Sequence, residues 1–245
     1  MNGKMRLKKR ITEILRILLC AVFIVSGGLL FEMHLSDGNM QQYRKISSKN
    51  KKNVLINNAI DWGKLLKTNP DVYAWIEVPG TSIDYAIACA SEEENFYLYH
   101  NVEKKIEFSG MIFSQKKNAR DFSDPVTVLY GHNMRNGSMF ADLNKYENPH
   151  FLNKHDVIYI YQPDRILVYK IFSAGEMDNR NILDVFDFSA GIDPKYIKVV
   201  KKNMGKKMQL KKTEHLLTLS TCAGVDTKRR VVHGKFVRKI LVYKN

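Results

Sequence analysis

Seven short runs rich in β-branched and aromatic residues follow residue 70, and they restrict the possible folds more than any other feature of the chain. Each run is bounded by polar or turn-forming residues, as β-strands typically are. The runs cover residues 72–78, 83–88, 126–130, 157–161, 166–172, 216–220 and 231–242. This pattern predicts a mainly β domain, either a closed barrel or a sandwich.

Turn signals and helical periodicity predict hairpins and helices in the rest of the domain. Pro79-Gly80 separates the first two runs and residues 162–164 separate the fourth and fifth, so both pairs are predicted to be hairpins. Residues 54–67 carry apolar side chains at helical spacing, and Asp193-Pro194 favours the start of a second helix. No segment repeats at a fixed period, so we expect one compact domain.

The first 35 residues have a different character from the rest of the chain. Five basic residues lie between positions 4 and 10, and an uncharged apolar run follows from residue 17 to residue 31. This arrangement predicts a signal anchor that crosses a membrane once, with the N-terminus in the cytoplasm and the domain outside. A cleaved signal peptide is the alternative, because small residues at positions 26–28 offer a peptidase a site.

The chain is therefore divided into three parts: a basic tail with an anchor (1–35), a juxtamembrane spacer (36–53) and an exterior domain (54–245). The net charge of the whole chain is +14, of which residues 1–35 carry +4. A basic exterior domain attracts polyanions, which outside a cell are wall polymers or lipid headgroups. The lysine runs contain no interleaved aromatic residues and match no nucleic-acid module, so no nucleic-acid partner is expected.

Three cysteines lie far apart, at positions 20, 89 and 222. They form no CxxC pair and no cluster with zinc-ligand spacing, so neither a metal nor another cofactor is expected. Cys20 falls in the predicted anchor, and Cys89 lies between two alanines in a strand-like segment, which is typical of a buried, inert thiol. Cys222 ends an apolar run and precedes Ala-Gly, which predicts a thiol at a strand end where a substrate can approach.

A histidine and an arginine complete a candidate catalytic group. His132 follows the run at 126–130, and its imidazole can exchange a proton near neutral pH. Arg229 and Arg230 begin the strand that follows Cys222 after a short loop. A guanidinium there can stabilise negative charge on a reacting carbonyl oxygen. Since side chains alternate along a strand, only one of the two arginines can face the site.

Three segments resemble the active-site signatures of sortases, and they occur in the order of that family. They are TLSTC at 218–222, YGHNM at 130–134, and Arg229 followed by Val231-Val232. NPDVYAWIEVPGTSIDY at 69–85 resembles the first strands of class B sortases, and GSMF at 137–140 fits the same class. The resemblance extends over roughly residues 54–240.

This resemblance implies a closed sortase-type β-barrel of about eight strands, with N-terminal and peripheral helices. It implies that Cys222 is the nucleophile and His132 the acid/base. The position of Arg229, two residues before Val231, favours it over Arg230. The resemblance implies no metal site.

The resemblance also extends to the substrate groove. Leu98 and Ser220 match groove-lining positions in class B sortases, and Thr221 is assigned to the same group. The sequence departs from the family in two respects. The segment between Cys222 and Arg229 is short, and Ala223 stands where relatives often have an acidic or polar residue.

The implied activity is cleavage after threonine in a C-terminal sorting motif, similar to Asn-Pro-x-Thr-Gly/Asn in class B, through a thioacyl enzyme. An amine of peptidoglycan or of a neighbouring subunit then resolves this intermediate. The implied partners are surface proteins that carry a sorting signal, and peptidoglycan, at a Gram-positive-type cell surface. Two alternatives remain open: another wall-active cysteine peptidase, and a non-catalytic basic module that binds the wall.

Overall fold

The computed structural model describes Leu18 and residues 60–202, 209–222 and 227–242. The chain divides into two units, residues 1–42 and 43–245, and everything described except Leu18 belongs to the second unit. Among the described residues, no helix has both the length and the apolar character needed to cross a membrane. The predicted anchor and spacer, residues 1–53, lie outside the described residues apart from Leu18.

Within the described part of the chain, eight strands close into a barrel. They are β1 (Val72–Glu77), β2 (Asp84–Ala88), β3 (Ile112–Phe113), β4 (Val126–His132), β5 (Val157–Gln162), β6 (Arg165–Asp178), β7 (Leu216–Cys222) and β8 (Lys228–Leu241). Around the barrel they follow the order β1-β2-β3-β4-β7-β8-β6-β5, and β5 pairs with β1 to close it. The predicted mainly β, closed barrel is confirmed, and the sandwich alternative is wrong.

Helices are short and lie between the strands. They are α1 (Trp62–Thr68), α2 (Pro149–Lys154), α3 (Ile182–Val185) and α4 (Pro194–Lys202), together with 3-10 helices at Phe96–Leu98 and Ala141–Glu147. The helix predicted to begin at Asp193-Pro194 is confirmed as α4. Of the helix predicted over 54–67, residues 62–68 are helical and residues 54–59 lie outside the described residues.

Both predicted hairpins are confirmed. β1 and β2 pair antiparallel, and Gly80 in their turn has a φ of 88°, a left-handed conformation that glycine adopts without steric cost. In the second hairpin Gln162 lies opposite Arg165, which leaves a two-residue loop between β5 and β6. These local pairings place β1, β2, β5 and β6 next to one another along one side of the barrel.

Large side chains from several strands fill the core. Trp75 and Ile76 of β1, Ile87 of β2, Leu129 of β4 and Leu219 of β7 are fully buried. Removing each such side chain from water contributes about 1.5–3 kcal/mol to folding. The core therefore fixes the central strands β4 and β7, whose ends carry the candidate site.

Candidate active site

His132 and Cys222 are paired residues on neighbouring parallel strands. The pairing of β4 with β7 is unbroken from Val126 opposite Leu216 to His132 opposite Cys222. Both strands end at this last pair. Adjacent strands lie about 4.8 Å apart, so the two backbone positions are neighbours at one edge of the barrel.

β8 returns along β7 and places Arg229 at the same edge. β8 is antiparallel to β7, with Val231 opposite Ser220, and Arg229 lies two residues before Val231. Its Nη1 donates a hydrogen bond to the Thr221 carbonyl oxygen over 3.2 Å, and its Nε donates to the Asn179 carbonyl oxygen over 3.2 Å. The guanidinium is thereby held beside the residue that precedes Cys222.

Arg230 has different partners from Arg229. Its Nη2 donates to Glu147, and it also lies 3.3 Å from Oε1 of Glu176. Its side chain is only 16% exposed, so these carboxylates neutralise a largely buried cation. The arrangement leaves Arg229, and not Arg230, on the side of the candidate site.

The His132 imidazole is held in one orientation by its surroundings. Its Nε2 lies 2.9 Å from the Leu98 carbonyl oxygen. A carbonyl oxygen only accepts hydrogen bonds, so Nε2 carries the proton in the neutral imidazole and Nδ1 is the nitrogen with a free lone pair. The rings of Tyr99 and Phe108 lie 5.5 Å and 5.4 Å from the imidazole, between centroids.

Burial lowers the pKa of His132 below its ordinary value, while the hydrogen bond to the Leu98 carbonyl acts in the opposite direction. The lower pKa means that the neutral imidazole predominates at neutral pH. A neutral imidazole can accept a proton from a thiol, as general base catalysis requires.

Gly110 packs against the backbone of the 3-10 helix Phe96–Leu98 and so helps to position the Leu98 carbonyl. Gly110 has a φ of 58°, and a Cβ atom there would lie 2.3 Å from the Leu98 carbonyl oxygen and 2.4 Å from that of Tyr97. Only glycine allows this close approach. Gly110 therefore lets the chain hold the carbonyl that orients His132.

A cleft of about 280 Å³ opens between His132 and Arg229. It is lined by Asn95, Leu98, Tyr99, Phe113, Gln115, Tyr130, His132, Asn179, Asn181 and Arg229. The Arg229 guanidinium carbon lies 5.8 Å from the centre of the Tyr130 ring, which favours a cation–π contact. The lining of the cleft therefore includes the His132 imidazole, the Arg229 guanidinium and the Tyr130 ring.

A chain of side-chain hydrogen bonds crosses this cleft. The Tyr130 hydroxyl donates to Asn181 Oδ1 (3.2 Å), Asn181 Nδ2 donates to Gln115 Oε1 (2.8 Å), and Gln115 Nε2 lies 3.3 Å from Asn95 Oδ1. Sequence reasoning missed the amide residues of this network. Asparagine and glutamine in loops carry no periodic signal, so only the fold could reveal the network.

The three predicted substrate-binding residues occupy different places. Leu98 lines the cleft. Ser220 is fully buried, and its hydroxyl has no hydrogen-bond partner among the described residues. Thr221 is also buried, and its hydroxyl accepts a hydrogen bond from the Arg230 backbone N–H over 3.1 Å. Of these side chains, the structure brings only that of Leu98 into the cleft.

Within the described part of the chain, neither Cys89 nor a metal site contributes to the cleft. Cys89 is a free, buried cysteine, consistent with an inert thiol. Among residues 60–202, 209–222 and 227–242, no group of three or more His, Cys, Asp and Glu residues could hold a metal ion. The candidate chemistry therefore rests on Cys222, His132 and Arg229.

Comparison with known proteins gives a consistent result. A family model of the sortase domain matches residues 76–237. Sortase B of Listeria monocytogenes is 28% identical over 96% of this chain and 100% of its own length. The crystal structure of Clostridium perfringens sortase B is 31% identical over 72% of this chain and 99% of that one, with a TM-score of 0.64.

A Streptococcus pyogenes class B sortase involved in pilus biogenesis is also similar: it is 28% identical over 74% of this chain and 100% of that one, with a TM-score of 0.64. Sortases act at the cell surface, on proteins with sorting signals and on peptidoglycan. The family match, the relatives and the shared barrel agree. This chain belongs to the sortase family, in class B, whose members are cysteine transpeptidases.

Proposed function

We propose that this sortase uses Cys222 as its nucleophile, His132 as its general acid and base, and Arg229 to bind the reacting carbonyl. The observation that carries the proposal is the register of β4 and β7, which pairs His132 with Cys222. The Arg229 guanidinium beside Thr221 adds positive charge where a carbonyl oxygen of the substrate becomes negative.

In the first step the sulfur of Cys222 attacks the carbonyl carbon of the threonine in the sorting motif. The thiol proton passes to Nδ1 of the neutral His132, and a carbon–sulfur bond forms. As the peptide C–N bond breaks, the imidazolium gives this proton to the leaving amine. The products are a thioacyl enzyme and a peptide with a free amino terminus.

In the second step a neutral amine attacks the thioester. The new C–N bond forms, the C–S bond breaks, and His132 takes a proton from the amine and returns it to the departing sulfur. Because both steps pass a proton through one imidazole, the hydrogen bond from Nε2 to Leu98 keeps that imidazole in a usable tautomer throughout.

The proposed substrate is a surface protein with a C-terminal motif similar to Asn-Pro-x-Thr-Gly/Asn, and the proposed acceptor is an amine of peptidoglycan or of a neighbouring protein subunit. The amides of Asn95, Gln115 and Asn181 can exchange hydrogen bonds with such a polar, extended peptide. Residues 1–35 are proposed to hold the enzyme in the membrane as a single-pass anchor with the catalytic domain outside.

The sequence left two other functions open. Another wall-active cysteine peptidase would release a hydrolysis product and would not respond to an amine. A non-catalytic wall-binding module would not depend on Cys222. The cleft that joins His132 to Arg229 favours catalysis over binding alone, because a binding surface does not require an oriented imidazole beside a cysteine.

The test uses the purified full chain with a library of peptides that contain sorting-like motifs, with and without triglycine. Mass spectrometry should detect a mass on Cys222 equal to the peptide cut after threonine, and triglycine should convert it to an amine-linked product. Cys222→Ala should abolish both products. If wild type and Cys222→Ala gave no adduct and bound anionic wall polymer equally, the binding module would replace the sortase mechanism.

A further inference from the structure

A loop beside His132 forms a short two-stranded projection, which we call the aromatic finger (residues 99–108). The Glu107 N–H donates to the Tyr99 carbonyl over 2.8 Å, and the Asn101 N–H donates to the Lys105 carbonyl over 2.9 Å. A β-bridge pairs His100 with Ile106. These backbone hydrogen bonds hold the finger in a defined shape.

The finger exposes large apolar side chains to solvent. Tyr99 is 47% exposed, Phe108 64% and Ile106 86%. Eight large apolar side chains are exposed in the described part of the chain, and three of them lie on this one loop. A cluster of exposed apolar side chains next to a catalytic group marks a binding surface more often than a single exposed residue does.

The finger is continuous with the candidate active site. The Phe108 ring is stacked at 24° to the His132 imidazole, with 5.4 Å between centroids, and the Tyr99 ring lies 5.5 Å away. Tyr99 also lines the cleft that contains Arg229. A ligand that extends from the cleft past His132 along this loop would therefore contact these rings.

The finger itself is not basic, unlike the chain as a whole. Residues 99–108 contain two Glu and two Lys, whereas the net charge of the whole chain is +14. Lys105 pairs with Glu103, and Lys104 pairs with Asp71. Glu107 accepts hydrogen bonds from Asn101 and Ser109 and has no ion pair among the described residues. Aromatic faces beside the Glu107 carboxylate suit a cationic ligand such as an ammonium group.

The reaction places an amine at this position. The acyl part of the substrate must lie near Arg229, where its carbonyl oxygen can be stabilised. The leaving amine and the incoming amine must both reach the same nitrogen of His132, so the chain attached to them passes beside the imidazole. The Tyr99 and Phe108 rings lie against this imidazole, within contact range of such a chain.

We propose that Tyr99, Ile106 and Phe108 form the subsite for the amine acceptor, an ammonium group on a flexible, peptide-like chain. This inference rests on the proposed function and deepens it. The acceptor binds mainly as the ammonium, loses one proton to solvent, and then attacks the thioester as described above. The finger raises the local concentration of the acceptor and so favours transfer over hydrolysis.

The experiment measures how the thioacyl enzyme partitions between aminolysis and hydrolysis. The purified full chain is acylated with the peptide that forms the adduct, and triglycine amide is added below saturation. Ile106→Lys introduces a like charge at a highly exposed position and should lower the aminolysis-to-hydrolysis ratio about fivefold. Ile106→Glu should keep the ratio at or above that of wild type.

Two controls separate acceptor binding from other effects. Val237→Lys makes a similar change at a residue that is 54% exposed on β8, far along the chain from the finger, and should leave the ratio unchanged. Hydroxylamine is a small and largely neutral nucleophile, and its ratio should not change in Ile106→Lys.

The possible outcomes separate this inference from the proposed function. Equal triglycine amide ratios in wild type, Ile106→Lys and Val237→Lys would overturn the acceptor subsite while the sortase mechanism stands. An equal loss with hydroxylamine would also overturn it, because the finger would then act through His132 alone. If wild type formed no thioacyl adduct, the proposed function itself would fail.

Discussion

Arg229 and Arg230 are adjacent in the chain, but they have separate environments. Arg229 donates hydrogen bonds to two backbone carbonyls at the cleft, while Arg230 pairs with Glu147 and Glu176. A guanidinium can donate several hydrogen bonds in a fixed plane, which a lysine ammonium cannot do. At the residue scale, we therefore expect the two positions to respond differently to the same substitution.

Arg229→Lys should lower kcat/KM about 100-fold, since removal of one preorganised donor from an oxyanion site has an effect of this size. The free energy of unfolding should change little, because Arg229 is half-buried and its hydrogen bonds go only to backbone carbonyls. Steady-state kinetics with the sorting peptide and urea unfolding would measure the two effects.

Arg230→Lys is the matched control. Loss of its planar contacts with Glu147 and Glu176 should lower the free energy of unfolding on the order of 1 kcal/mol, with kcat/KM within about threefold of wild type. A larger loss of activity in Arg230→Lys than in Arg229→Lys would contradict the assignment of Arg229.

At the scale of elements, the loop between the 3-10 helix Phe96–Leu98 and β3 supports β4. Its Leu98 carbonyl binds His132 at the end of β4, and Gly110 packs directly against that carbonyl. The orientation of the imidazole thus depends on a backbone contact between two loop segments. A change in this loop should affect the orientation of His132 without altering any of the three candidate catalytic side chains.

Gly110→Ala should lower both stability and activity. The added Cβ would collide with the carbonyls of Tyr97 and Leu98, and alanine disfavours the φ of 58° by about 1 kcal/mol. We expect the free energy of unfolding to fall by about 1–3 kcal/mol and kcat/KM to fall at least tenfold at a temperature where the variant is folded. Urea unfolding and peptide kinetics would test this expectation.

Gly137→Ala provides the comparison. Gly137 also has a positive φ, 87°, but a Cβ there would meet no atom within 4 Å. Gly137→Ala should have a conformational cost similar to that of Gly110→Ala, because both positions have a positive φ, but it should not displace the Leu98 carbonyl. If the two variants lost activity equally, the effect would come from the φ angle and not from the Leu98 carbonyl.

At the scale of the whole molecule, His233 connects β8 to β7 and α4 in the interior. Its Nδ1 lies 3.1 Å from the Thr218 hydroxyl and 3.4 Å from the Tyr196 hydroxyl, and its Nε2 has no partner among the described residues. Burial lowers the pKa of His233 to about 3. An unfolded histidine titrates near 6.5, so at mildly acidic pH the unfolded state binds one more proton than the folded state.

Global stability should therefore fall as the pH drops from about 6.5 toward 3, by up to about 1.4 kcal/mol per pH unit from this residue. His233→Asn should lose stability at pH 7, because it leaves a small cavity, but its stability should depend less steeply on pH. Urea unfolding of both proteins at pH 7 and pH 4.5 would measure the effect. Between these two pH values, the free energy of unfolding should fall by about 2–3 kcal/mol more in wild type than in His233→Asn. Parallel pH curves would contradict the role of His233.

Local side-chain chemistry determined many of the strands and turns of this protein. Strands β1, β2, β4, β5 and β7 were predictable because β-branched and aromatic runs between turn residues favour extended backbone. The hairpin turns and the start of α4 were predictable from Gly and Pro for the same local reason. The motifs around His132 and Cys222 indicated the family and the candidate nucleophile.

Other features depended on contacts between distant segments. β6 continues through Asp178, where the sequence has few β-formers, because its second half pairs with the start of β8. β3 is only two residues long and exists through its pairing with β2 and β4. Neither feature has a local signal, so the sequence alone predicted a shorter β6 and no β3.

The candidate site divides in the same way. The chemical identities of Cys222, His132 and Arg229 were readable from the sequence, since reactivity belongs to the side chain. The juxtaposition of His132 and Cys222 depends on the parallel register of strands about 90 residues apart. The orientation of His132 depends on a backbone carbonyl, and any residue type carries one. Only the tertiary structure could decide these, because backbone groups and long-range register leave no signature in the order of amino acids.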